Sequence, residues 1–175
     1  MANNCEYDLR AVSKSKETLE QFIAVMKYEH PDYYLYRVFE ADPDSIVSYQ
    51  DLFGVYISGD VGWSCYEWVH SSEDLNKKSG NGAHYISMRE LCKRLDVGVE
   101  IFSREPGCAF QEHYVIDHTG TVLVDETEQW IVHWTDETGN LLDTPVETGG
   151  FSYYGDFLTC SEIFNEEEEN KNESK

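Results

Sequence analysis

Two cysteine–histidine pairs share one spacing, Cys65-x4-His70 and Cys108-x4-His113. Two thiolates and two imidazoles make a tetrahedral zinc site if their loops meet. Structural zinc pairs use tighter cysteine spacings, however, and Cys108 follows the turn-forming Pro106-Gly107. The pairs therefore read as buried cysteines and surface histidines, and no metal is expected. The same thiols could act as nucleophiles beside a histidine and an orienting carboxylate, but an acidic surface raises a thiol pKa, the wrong direction for activation. Glu126 and Glu128 have the chemistry to hold Mg²⁺ or to share acid–base work; among 34 acidic residues such a pair arises by composition alone. No EF-hand loop, phosphate-binding P-loop, dinucleotide fingerprint or nucleophile elbow is present. No catalytic residue and no cofactor is assigned, and a metal-dependent enzyme is the least supported reading. Tyr34, Tyr36, Trp130 and Trp134 could stack bases from strands, yet a net charge of −21 opposes nucleic acid. Core and interface packing is the expectation for these aromatics.

The elements that must position such residues belong to a chain of 175 residues, which suits one domain with a sizeable core. Hydrophobic residues at 41% and aromatics at 14% exclude a wholly disordered chain. No run of eighteen apolar residues is present, and Met1 to Arg10 lacks the basic and apolar regions of a signal peptide. Five cysteines at irregular spacings argue for a reducing compartment. A soluble cytoplasmic protein is expected, with no membrane and no direct nucleic-acid partner, because both would repel it at long range. Basic proteins remain as partners.

The charge is unevenly spread. Residues 1–104 carry 17 acids against 11 bases, and residues 105–175 carry 17 against 2, or −6 and −15. From Glu105 to Asn170 there are 16 acids and no Lys or Arg, alongside Phe110, Tyr114, Trp130, Trp134, Phe151 and Phe157. A segment of that composition folds, and a folded surface without cations repels itself. The charge is the functional lead.

Cys5 to Val12 alternates as a strand with one wet side, formed by Glu6, Asp8 and Arg10. Ser13 or Ser15 caps a helix whose Leu19, Phe22, Ile23 and Met26 fall at helical spacing, ending at His30-Pro31. Tyr33–Phe39 and Leu52–Ile57 read as strands joined by the acidic stretch Glu40–Asp51. Ser71–Gly82 is a polar loop. Ser87 and Glu90 then form a capping box that starts a second helix, with Met88, Leu91, Cys92 and Leu95 inward and Gly98 as its stop. Val99–Ser103 completes a β-α-β-β-α-β order, which predicts an α+β, ferredoxin-like sheet with two helices on one face. Phe110–Ile116, Thr121–Val124 and Gln129–Thr135 are further strands, punctuated by Asp117-His-Thr-Gly120 and Asp136-Glu-Thr-Gly139 as hairpin turns. The expected layout is a core over residues 1–104, an acidic β-meander with a docking segment over 105–164 of the same domain, and a disordered acidic tail over 165–175.

With these elements placed, Met1-Ala2-Asn3-Asn4-Cys5 with Leu9, Trp63-Ser64, and Phe110-x-Glu112 leading to Gly120 are similar to the YubB-like proteins of phages and plasmids. Asn4 stands where that family usually has Trp, and its Trp-Gly-Thr-Lys-Trp string has no counterpart. The resemblance spans about residues 1–124 and implies a ferredoxin-like fold and a mobile-element origin, without an established activity.

These readings converge on a non-enzymatic inhibitor that imitates nucleic acid and blocks the basic groove of a host defence nuclease of anti-CRISPR or anti-restriction type. The contact residues expected are Glu112, Asp117, Asp125, Glu126, Glu128, Asp136, Glu137, Asp143 and Glu147, on or beside the meander strands and turns. The alternative is a small binding or regulatory domain whose acidity serves solubility. A mimic needs its carboxylates massed on one continuous face, whereas solvation needs them only scattered.

Overall fold

The computed structural model describes residues 4–71, 78, 80, 82–151 and 155–165, with the side chains of residues 132, 145 and 147 outside that description. Strand β1 (Asn4–Ser13) buries Cys5, Tyr7, Leu9 and Ala11 on one side and turns Glu6, Asp8 and Arg10 to the other, as its period-two pattern dictates. It lies between β5 (Leu52–Gly62) and β7 (Gly98–Glu105), antiparallel to both, with Leu9 opposite Ile57 and Ile101. Beyond β5 runs β3 (Val38–Pro43), and β4 (Val47–Tyr49) also pairs with β5. Beyond β7 come β8 (Phe110–Ile116), β9 (Val122–Thr135) and β10 (Leu141–Gly149) as an antiparallel meander. The order is β10-β9-β8-β7-β1-β5-β3, while β2 (Tyr33–Tyr34) and β6 (His84–Tyr85) form a separate two-stranded parallel pair. The protein is thus mixed α/β, dominated by one antiparallel sheet.

Helix α1 (Lys16–Met26) starts where the Ser15 hydroxyl accepts the Thr18 N–H at 3.2 Å, satisfying one of the free donors of a first turn. It buries Leu19, Phe22, Val25 and Met26 against β1 and β5. Helix α3 (Met88–Leu95) is capped in the same way by Ser87 and buries Met88, Leu91 and Cys92. Both helices share one core with the inward residues of β1, β5, β7 and β8, together with Cys65, Trp68 and Val69 around the short helix α2 (Tyr66–His70). This is the helix face of the sheet. The opposite side carries a smaller cluster of Val12, Leu52, Cys160, Ile163 and Phe164, formed by the short helix α4 (Cys160–Phe164) and the segment before it. That segment is a strap, and its side is the strap face.

Several boundaries differ from the sequence reading. Tyr33–Phe39 is not one strand, because Arg37 takes a left-handed conformation at φ 59° and separates β2 from β3. The connection expected over Glu40–Asp51 begins instead as the body of β3, with Glu40 and Asp42 exposed. Thr121–Val124 and Gln129–Thr135 merge into the single strand β9, since the acids between them pair with β8, Glu126 opposite His113 and Glu128 opposite Gln111. Helix α3 stops at Asp96, left-handed at φ 53°, while Gly98 already belongs to β7. A Cβ at Gly98 would lie 2.6 Å from the Ile163 carbonyl, so the glycine is needed for α4 to approach. Helices α2 and α4 were not anticipated. The tail expected over 165–175 lies outside the described residues apart from Asn165, which closes α4. Among the described residues no helix is long and apolar enough to cross a membrane.

One close approach locks β3 onto the sheet. The Tyr7 hydroxyl donates to the Glu40 carbonyl at 2.9 Å, reaching across Gly59. A Cβ at Gly59 would lie 2.0 Å from that carbonyl oxygen and 2.8 Å from the tyrosine oxygen. Both obstacles are held by the sheet, so neither can step aside cheaply. Gly59→Ala is expected to destabilise the protein by about 1–3 kcal/mol, read as a lower midpoint in urea unfolding. An unchanged midpoint would show that β3 is free to move away.

Candidate functional site

Because paired residues in an antiparallel ladder share a face, the registers can be followed across the whole sheet. On the strap face one row runs Glu40, Asp60, Glu6, Arg104, Gln111, Glu128 from β3 to β9. The next row runs Asp42, Ser58, Asp8, Phe102, His113, Glu126. Seven carboxylates therefore stand in two adjacent rows. Neighbouring strands are about 4.8 Å apart and successive same-face residues about 6.8 Å apart, so each row spans on the order of 24 Å. Glu6, Glu40, Asp42, Glu126 and Glu128 are exposed, and Asp8 and Asp60 half-buried. Glu6, Asp8, Glu40, Asp42 and Asp60 line a single groove together with Ser58 and Arg104. Unit charges at these separations repel by about 0.6–0.9 kcal/mol per neighbouring pair even in bulk water. The face is an anionic array with Arg104 and His113 set among the carboxylates and Asp8 accepting a hydrogen bond from the Tyr56 hydroxyl.

Its two internal cationic or titratable members are held by the fold. The Arg104 guanidinium lies 4.1 Å above the Trp130 ring. His113 stacks flat on Phe102 at 4.2 Å, with its Nε2 2.8 Å from Glu100 Oε1 and its Nδ1 3.5 Å from Glu126 Oε2. The buried Glu100 also accepts the Leu158 N–H at 2.7 Å, and Gln111 accepts the Phe151 N–H at 2.7 Å. Arg10 donates to the Leu158 carbonyl at 3.1 Å, and Phe157 sets its ring edge-on to Tyr56 and Phe102. The strap thus covers the row formed by Arg10 and Glu100 and also meets the two adjacent rows at Phe102, Gln111 and His113, between Glu6 and Asp8 on one side and Glu126 and Glu128 on the other. Of the segment Phe151–Phe157 expected to dock back, residues 152–154 lie outside the described residues.

The nine contact residues chosen from sequence do not form one surface. Glu112 is buried on the helix face, where its carboxylate accepts hydrogen bonds from the Ser64 and Ser103 hydroxyls, both at 2.5 Å, from the Cys65 N–H at 2.9 Å and from the Tyr114 hydroxyl at 3.1 Å. It ties the meander to the loop before α2 and cannot meet a partner. Asp117 is buried as well, its carboxylate accepting the Thr119 and Thr121 N–H groups and the Thr119 hydroxyl at 2.6–2.9 Å, and the Asn165 amide at 3.3 Å. Asp136 repeats this arrangement with Thr138 and Asn140 in the β9–β10 turn, but in the open. The two Asp-x-Thr-Gly turns are one device used twice, each with a glycine at φ 83° or 88°. Asp125, on the helix face, accepts from His70 Nε2 at 3.2–3.3 Å. Glu126 and Glu128 stand at the end of the carboxylate rows, and Glu137 and Asp143 are exposed on the β9–β10 hairpin. Glu147 has its side chain outside the described residues.

Sequence reasoning missed Glu6, Asp8, Glu40, Asp42 and Asp60 as a group, because they come from the half with the smaller net charge, −6 against −15. The available signal was local: Glu6-x-Asp8 and Glu40-x-Asp42 each place two acids at strand spacing.

The two Cys-x4-His pairs do not meet. Cys65 is buried under the helix face and Cys108 is exposed in the β7–β8 turn, while His113 belongs to the strap face. Among the described residues no group of three or more His, Cys, Asp or Glu is arranged to hold a metal ion. Burial pushes the Cys65 thiol well above its ordinary range and Cys5 up to about 12, so neither supplies a thiolate near neutrality.

Comparison of the chain with family models, with characterised proteins and with solved structures finds no match in any of the three.

The turn carboxylates make stability depend on acid. Burial raises the Asp117 pKa, but hydrogen bonds from Thr119, Thr121 and Asn165 outweigh it and hold the group below its ordinary value. Hydrogen bonds from Thr138 and Asn140 bring Asp136 down to about 2. A carboxylate that binds protons less readily when folded stabilises the fold above its unfolded pKa, about 3.9, and loses that contribution as pH falls through its folded value. Urea midpoints should therefore fall between about pH 4 and pH 2, and by less in D117N, which begins less stable by about 1–3 kcal/mol at pH 7. Equal acid sensitivity in both proteins would remove Asp117 from this role.

Proposed function

We propose that the protein is a non-enzymatic inhibitor whose strap face imitates a nucleic-acid backbone and occupies the basic groove of a nucleic-acid-binding protein. The observation that carries the reading is the pair of carboxylate rows Glu40-Asp60-Glu6 and Asp42-Asp8, with Glu126 and Glu128 standing apart at the far edge beyond Arg104, Phe102, Gln111 and His113. Five carboxylates line one groove on one face of the sheet, the local clustering that supports a mimic over scattered solubilising charge. A groove built for nucleic acid presents Lys and Arg to a line of anions, and a sheet that holds anions at fixed intervals meets it without the ordering cost of a flexible acidic tail. The contact surface centres on β1, β3 and β5, with Glu126 and Glu128 its extension in the meander.

The order β7-β1-β5-β3, with α1 and α3 in the connections β1–β3 and β5–β7, supports reading the core as ferredoxin-like, with β8–β10 added beside its edge strand. That core would match the YubB-like resemblance of the opening strand. A mobile-element origin makes a host defence nuclease, of CRISPR or restriction type, the target class to try first.

The test is competition. Such a nuclease bound to labelled DNA should release it when the protein is added, and inhibition should weaken steeply as salt rises. Reversing Glu40, Asp42 and Asp60 to Lys places like charge against the groove, which costs several kcal/mol, or about a hundredfold in affinity. Those positions are exposed or half-buried, so the fold should survive, as far-ultraviolet circular dichroism can verify. Undiminished inhibition by this variant, or a complex in which the nuclease still holds its DNA, would sink the mimic.

A further inference from the structure

Strand β9 outruns its partner. Pairing with β8 ends at Phe110 opposite Gln129, whereas β9 continues to Thr135 and from Trp130 onward pairs with β10. The result is a two-stranded ribbon projecting past the sheet, an element that has little stability of its own in water. Its large apolar side chains are open to solvent: Ile131 is 57% exposed, Trp134 58%, Leu141 84% and Val146 52%. The register places Ile131, Val146 and Leu141 on one side, through the pairs Ile131–Thr148, His133–Val146 and Thr135–Leu141. Trp134 projects to the other side. Exposed edge ribbons are normally blunted with charge rather than given four large apolar groups.

Charge decides between possible occupants. Residues 129–149 hold Asp136, Glu137, Asp143 and Glu147 and no Lys or Arg. A second copy of this chain, or an anionic membrane, would set like charge against like around the apolar groups. A protein slot with an apolar floor and a rim of Lys and Arg matches both features, and an aromatic anchor such as Trp134 is the kind of side chain that dominates binding energy. We propose that the β9–β10 ribbon is a docking arm that inserts into an apolar slot rimmed by Lys and Arg on a protein partner. The basic character of that partner rests on the inhibitor reading above; the apolar contact does not.

Two labelled peptides test this with the full chain: an amphipathic Lys/Leu helix and an oligolysine of equal charge, compared by fluorescence anisotropy at low salt. The amphipathic peptide should bind about tenfold tighter or better, and the variant I131S/L141S/V146S should bring the two affinities together. In a W63F background Trp134 is the exposed tryptophan, Trp68 and Trp130 being buried, and its emission should shift to the blue on binding. Equal affinities for the two peptides, a preference that survives the triple substitution, or no shift of Trp134 overturns the arm. So does a concentration-dependent dimer in sedimentation that the triple substitution abolishes. Should the triple variant fail to fold, the Trp134 shift alone decides. Failure of the inhibitor reading looks different: E40K/D42K/D60K then leaves oligolysine binding unchanged while the preference for the amphipathic peptide persists.

Discussion

The register of β1 between β5 and β7 is the constraint on which the rest of the molecule depends. A strand alternates its side chains, so one choice of pairing commits Cys5, Tyr7, Leu9 and Ala11 to the helices and Glu6, Asp8 and Arg10 to the opposite face. A slip of one residue would bury two carboxylates under α1 and α3 and expose the centre of the core. The apolar face therefore stabilises the placement of the charged one. Tyr7 strengthens the arrangement from the helix face by bonding the β3 backbone across Gly59, which brings Glu40 and Asp42 into line with Glu6 and Asp8.

Three groups of acidic residues in this protein differ in what their carboxylates face. Glu112 and Glu100 are buried polar anchors, each surrounded by donors that compensate the loss of water, and each joins elements distant in sequence. Asp117 and Asp136 organise turns by accepting backbone N–H groups that the hairpins leave over. The carboxylates of the two strap-face rows are different, because they stand close together on an open face, where like charges repel. Glu100 and Glu112 have no charge to offer a partner, whereas the row carboxylates and the open turn carboxylate Asp136 do. Counting acids along the chain cannot separate these classes, since the distinction lies in what each carboxylate faces.

The strap contributes to the same end. By covering Glu100, Phe102 and part of His113 it removes a buried section of its face from solvent, and leaves the carboxylates of β1, β3 and β5 open beside it. The ribbon beyond β8 adds a second kind of surface, apolar and projecting, to a molecule otherwise dominated by charge.

Local physics made much of this legible in the sequence. The Ser15 and Ser87 caps, the helical spacing of Leu19, Phe22 and Met26 and of Met88, Leu91 and Leu95, the alternation in β1 and the two Asp-x-Thr-Gly turns each act within a few residues, so each is written where it operates. A mixed α/β chain dominated by antiparallel strands followed from them. The tertiary structure decided the rest, because it depended on pairing between distant strands. Whether Glu112 is a surface contact or a buried clamp depends on Ser64 and Ser103, and whether Glu6, Asp8, Glu40, Asp42 and Asp60 form one face depends on registers linking residues 4 to 62. The sequence located the excess of charge in residues 105–170, where composition records it. The fold brought five carboxylates of β1, β3 and β5 to one groove, because proximity in a sheet is set by strand register and not by distance along the chain.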